Sequence, residues 1–206
     1  MKLLYLPKKH KMNPVLNTNL YLVKEKIGVF KAANNFDIFD AKTNQQILIC
    51  REPNLGFFTK LFRFTDYKRM TAFDVQITTP EGNPVLSVRR GITIFRSIVE
   101  VFDEADQKIG SFRQRMLSFG GKFEILDISE NVVCTLQGKW TGWDFTFSNE
   151  KQELAQVSKK WAGLGREFFT SADNYVLSIN QTVPENDKVR QLILAAVMCI
   201  DMVLKE

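Results

Sequence analysis

Histidine is nearly missing from this chain: His10 is the only one among 206 residues. A single imidazole excludes a histidine metal cluster, and its place in a basic amino-terminal stretch leaves no partner for a Ser-His-Asp or Cys-His pair in a folded core. Cysteine is scarce as well. Cys50, Cys134 and Cys199 are odd in number, far apart and set in apolar runs, which argues against a disulfide framework or a thiolate metal site and predicts buried, reduced thiols. The six prolines and eleven glycines nowhere gather into a linker, so nothing marks a second domain. Gly120-Gly121 and Gly163-x-Gly165 lack the spacing of phosphate-binding loops and read as turns. The opening MKLLYLPKKHK has too short an apolar stretch before Pro7 and Lys8 for a secretory leader, so a cytoplasmic location is expected.

What the chain does have is apolar and aromatic content, 45% and 12%, enough to bury one large core. The expected organisation is a basic tail over 1–18 and a single domain over 19–206. One phrase recurs within it: alternating apolar residues, a turn-forming polar residue, then a second apolar strand. It reads Phe36-x-Ile38-x-Asp40 then Ile47, Val75-x-Ile77-x-Thr79 then Val85, and Val99-x-Val101-x-Asp103 then Ile109. It returns as Phe123-x-Ile125-x-Asp127 then Val133, and Phe145-x-Phe147-x-Asn149 then Leu154. Each unit predicts a β-hairpin whose Asp, Asn or Thr closes the turn on its own backbone. Five hairpins, a strand near Leu20–Val23 and another at Tyr175–Ile179 make about twelve strands.

Closing such a sheet removes its edges but leaves an interior too wide for its own side chains. The filling is expected from a helix over 187–204, started by Asp187 and apolar around its circumference from Leu192 to Ile200. Its rival burial medium is lipid. Val189 to Leu204 spans about 24 Å as a helix, against a hydrocarbon layer of about 30 Å, and Arg190, Gln191 and Asp201 interrupt it. A core helix is therefore favoured over a membrane span, with Asp201 requiring an internal partner.

Charge is sorted by hairpin end. The within-hairpin turns hold nine acids against Lys42, Lys108 and Lys151, near minus six; the connections between hairpins hold fifteen cations against three acids, near plus twelve. The net charge of +5 thus hides a basic rim, and seven lysines against Glu25 in residues 1–35 add a basic tail. Lys60, Arg63, Lys68, Arg69, Arg89, Arg90, Arg113 and Arg115 are the candidate binders of anionic headgroups, with Phe57, Phe58, Leu61, Phe62, Phe64 and Tyr67 interleaved in the longest connection. A basic patch with aromatics also describes a nucleic-acid platform, so the alternative is a cytosolic interaction scaffold or nucleic-acid-associated regulator without lipid transfer, and the blandest reading is a set of ordinary surface cations. The acids sit in turns, so no acid and base pair is indicated and no enzyme is expected.

The run KKWAGLGREFFTSADNY, Lys159 to Tyr175, is followed by a strand and by a helix containing Ile200-Asp201. In its order and residues this closely resembles the carboxyl end of the phospholipid scramblases, the matching positions being Lys159, Trp161, Gly163, Arg166, Glu167, Phe169, Thr170, Ala172, Asp173, Asn174 and Tyr175. The resemblance implies a mostly β, closed antiparallel barrel of tubby-like type around a buried carboxyl-terminal helix, and peripheral membrane association. It also implies a calcium site at the segment beginning Ser171, where Asp173 and Asn174 are the candidate ligands; the family's first acid is Ser171 here. Calcium prefers six or more oxygens with several carboxylates, so binding would be weak at most and no other cofactor is expected. An Asx turn at Asp173 and Asn174 is the favoured alternative. Trp161, Asp187 and Asp201 are expected to serve the structure. The lipid anchors of the mammalian members, a Pro-rich amino-terminal region and a palmitoylated cysteine cluster, have no counterpart in this sequence.

Overall fold

The computed structural model describes residues 12–26, 35–53, 71–92, 98–114, 122–139, 143–159 and 174–204. Twelve strands follow one another: β1 (Leu20–Glu25), β2 (Phe36–Asp40), β3 (Gln46–Arg51), β4 (Phe73–Thr78), β5 (Pro84–Arg90) and β6 (Ile98–Asp103). Then come β7 (Lys108–Gln114), β8 (Phe123–Asp127), β9 (Val132–Lys139), β10 (Asp144–Ser148), β11 (Glu153–Ser158) and β12 (Asn174–Ile179), before helix α1 (Lys188–Leu204). Every strand pairs antiparallel with its neighbours in sequence, and β12 returns to pair with β1, closing the barrel. The expected fold class is the observed one. All five hairpins fall where the repeated phrase puts them, and the last strand begins at Asn174, one residue earlier than expected.

Period-two alternation does the sorting. In β4, Phe73, Val75 and Ile77 are buried while Asp74, Gln76 and Thr78 face outward. Each hairpin also carries one extra residue just after its turn. The ladder skips Ile47, Val85, Ile109, Val133 and Leu154, so each second strand bulges at the same level. All five are apolar; Val85, Ile109 and Leu154 belong to the core, and Ile47 and Val133 pack against it.

Helix α1 fills the interior. Leu192 to Met198 are each at most 6% exposed, a run of seven that covers the whole circumference of a helix with 3.6 residues per turn. Each such Leu or Ile contributes about 1.5–3 kcal/mol by burial, which no one-sided helix would gain at these positions. Asp187 caps the helix, its Oδ1 accepting from the Val189 amide at 2.9 Å. The nearest strands are β5, β7 and β12. On β7 the approach needs glycine: a Cβ on Gly110 would stand 2.3 Å from the Leu126 carbonyl oxygen and 2.8 Å from Leu192 Cδ2. Asp201 lies in the helix, and its side chain is outside the described residues.

The expected tail is packed from Met12 onward. Pro14–Asn17 forms a 3₁₀ turn that buries Leu16 completely. It lies at the end of the barrel where α1 enters, and Arg190, only 2% exposed, fastens it there. The Arg190 guanidinium donates to the carbonyls of Pro184 (2.9 Å), Asn17 (3.4 Å), Thr18 (3.3 Å) and Val183 (2.8 Å), and to Asn19 Oδ1 (2.7 Å). Among the described residues no carboxylate lies in ion-pair range of it, so five neutral oxygens replace its water. The closing seam is packed on both faces: Tyr21, Val23, Tyr175 and Leu177 inside, Leu22 and Val176 outside with Phe39 beside them.

Candidate functional site

The barrel has two unlike mouths. One carries the five hairpin turns and the entry of α1, and all nine turn acids with it. Four of its five corners are built the same way. Asp40 Oδ1 accepts from the amides of Lys42 and Thr43, Asp103 Oδ1 from Ala105 and Gln107, Asp127 Oδ1 from Ser129 and Asn131, and Asn149 Oδ1 from Lys151 and Gln152. Asn44, Gly82, Asp106 and Glu130 take the left-handed conformation that brings four of the five corners back into their strands. The amide and side chain of Asn131 hold the exposed Asp127 carboxyl below its ordinary range, and the Thr79 hydroxyl does the same for Glu81.

The other mouth collects the strand ends from which the connections leave. Lys60, Arg63, Lys68, Arg69 and Arg115 lie outside the described residues, as do Trp161 and Asp173. The other three candidate headgroup binders are described, and each is engaged. Arg89 pairs with Asp74 at 3.6 Å and with Asp106 at 2.6 Å, and its guanidinium stands 4.5 Å from the Phe102 ring centroid. That carries its charge along the wall to an acid of the opposite mouth, and the Asp106 hydrogen bond raises its pKa. Arg90 is 3% exposed, donates to the Thr71 carbonyl at 3.2 and 2.7 Å, and lies over Phe73. Arg113 is exposed and bonds Glu124 at 2.8 Å. Arg51 pairs with Asp37, which Lys26 also approaches at 3.6 Å. Outward-facing acids on the strands, which the turn-and-connection charge sum omits, therefore neutralise much of the described wall.

Asn174 opens β12 and is buried. Among the described residues no three His, Cys, Asp or Glu side chains gather as a metal site would require. Cys50 and Cys134 are free and buried, and burial pushes both thiols up.

One arrangement at this mouth escapes sequence reasoning. Trp143, just before β10, has φ of 49°, a conformation costing a bulky residue about 1–3 kcal/mol. Its ring stacks on Tyr175 at 4.9 Å and 23°, meets Phe145 edge-on, and carries Lys159 Nζ 4.8 Å from its centroid. Nothing local in the sequence announces it, because the turn is set by where β9 and β10 must meet. Arg190 did leave a trace, as a cation interrupting the apolar residues of the helix.

A closed antiparallel barrel packed around its own carboxyl-terminal helix is thus the class of protein. The scramblase family model matches residues 11–206, and the chain belongs to that family. A phospholipid scramblase family protein of Schizosaccharomyces pombe is 23% identical over 200 residues, covering 89% of this chain and 52% of that protein. The chain therefore spans about half the length of that curated relative. No solved structure gives a significant match.

Proposed function

We propose that the protein is a non-enzymatic lipid-binding barrel of tubby type, acting peripherally at membranes by docking its connection mouth on anionic headgroups, phosphoinositides included. The observation that supports this reading is the topology: the described strand ends from which the connections leave lie at one mouth, and those connections hold fifteen cations in sequence, while the nine turn acids collect at the other mouth. Each cation near a charged leaflet contributes about 1 kcal/mol, and a molecule of this polarity approaches such a surface basic end first. Arg89, Arg90 and Arg113 are already engaged, so the binding charge is assigned chiefly to Lys60, Arg63, Lys68, Arg69 and Arg115. Among the described residues no helix is long and apolar enough to cross a membrane. Among the described residues, α1 fills the interior with apolar side chains and leaves no polar route for a headgroup there, which favours binding over lipid movement.

Vesicles of phosphatidylcholine and phosphatidylserine should retain the protein, vesicles of phosphatidylcholine alone should not, and Lys60→Glu, Arg63→Glu, Lys68→Glu and Arg69→Glu together should release it. Equal retention by neutral vesicles would overturn the reading. A preference for single-stranded RNA or DNA with steep salt dependence would replace it with a nucleic-acid role.

A further inference from the structure

We propose that Trp143, braced by Tyr175 and Lys159, is an interfacial anchor that settles into the headgroup layer of an anionic phospholipid bilayer, with Ile92 and Ile98 as further apolar contacts of the same mouth. This rests on the reading that the connection mouth faces lipid, and it names the side chains that enter.

Three observations carry it. The left-handed residue Trp143 stands at the strand end of this mouth with its indole half-buried, packed against the rim of the core and stacked on Tyr175, and with Lys159 over it. An amphipathic ring beside a cation is the pairing that sits at a membrane interface, ring among the upper acyl carbons and ammonium at the phosphates. Among the described residues, the large apolar side chains most open to solvent are Ile92 (79%), Ile128 (64%), Ile98 (49%) and Val132 (49%). Ile128 and Val132 belong to the acidic mouth, which an anionic surface repels. Ile92 and Ile98 flank the connection 93–97 at the basic mouth, and Ile98 pairs across the ladder with Arg113. Charge complementarity therefore selects the bilayer as occupant of this end alone.

The test uses the full chain with vesicles of equal parts phosphatidylcholine and phosphatidylserine, the former with brominated acyl chains. Bromine should quench part of the emission of the three tryptophans, Trp140, Trp143 and Trp161, and most of that quenching should vanish in Trp143→Phe, which keeps a ring to stack on Tyr175. Lys159→Gln should weaken vesicle binding about fivefold, and Ile92→Asn, at an open surface position, should weaken it measurably. Vesicle binding with no quenching, or quenching that persists in Trp143→Phe, would overturn the anchor and leave the basic-mouth reading standing. Should Trp143→Phe not fold, unchanged affinity in both Lys159→Gln and Ile92→Asn would overturn it equally. Failure of wild-type protein to bind these vesicles would overturn both.

Discussion

The Asp127 carboxylate accepts from the amides of Ser129 and Asn131 and from the Asn131 side chain, so five residues specify one corner of the barrel. Because these bonds need the ionised form, the folded pKa lies below the unfolded one. The corner's contribution is therefore present above the ordinary value of about 3.9 and is lost as pH falls through the lower folded value. An NMR titration of the Asp127 carboxyl should have its midpoint below that of a free aspartate, and Asn131→Ala, which keeps the backbone amide and removes the side-chain bond, should move it part of the way upward; an unmoved midpoint would dismiss the Asn131 side chain as a cause. Four such corners were legible from the sequence, since the Asp or Asn four places after the first apolar residue acts through its own backbone, whereas the Thr79 hydroxyl bonds the side chains of Glu81 and Asn83 instead. Trp143 and Arg90 were not, because their surroundings come from chain segments distant in sequence.

At the level of the elements, the hairpin phrase located the strands, while its last letter meant more than a second strand. Ile47, Val85, Ile109, Val133 and Leu154 are the residues the ladder leaves out. One residue of slip inverts the alternation, so a period-two reading sees an apolar position there but not the extra unit that bends the strand. The helix was legible because its apolar residues exceed any one face. Its fit to β7 was not, since that depends on a missing side chain. Gly110→Ala should lower stability by about 1–3 kcal/mol through crowding against Leu126 and Leu192, seen as a lower urea midpoint with unchanged slope. An unshifted midpoint would mean that β7 and α1 can part without cost.

For the molecule as a whole, the two-ended charge pattern followed from topology, whereas the pairing of wall arginines with Asp37, Asp74 and Glu124 did not, because those acids lie on strands rather than loops. Arg190 links the start of the barrel to its finish by binding residues 17–19 and 183–184 at once. Arg190→Met leaves five oxygens without their donor and should cost about 3 kcal/mol or more. Amide exchange should then speed first at Leu16 and Thr18, whose amides bond the carbonyls of Asn13 and Val15. Protection there equal to wild type would show that the 3₁₀ turn holds without the guanidinium.

The pairing of Leu20 with Ser178 bears on how the protein is made. A ribosome delivers β1 first and must translate nearly all of the intervening message before its partner strand emerges, so throughout elongation the nascent sheet keeps two unpaired borders and an unfilled hollow. A transcript cut before codon 174 would leave that border permanently open, and its product would be a substrate for chaperones and proteases rather than a smaller working protein.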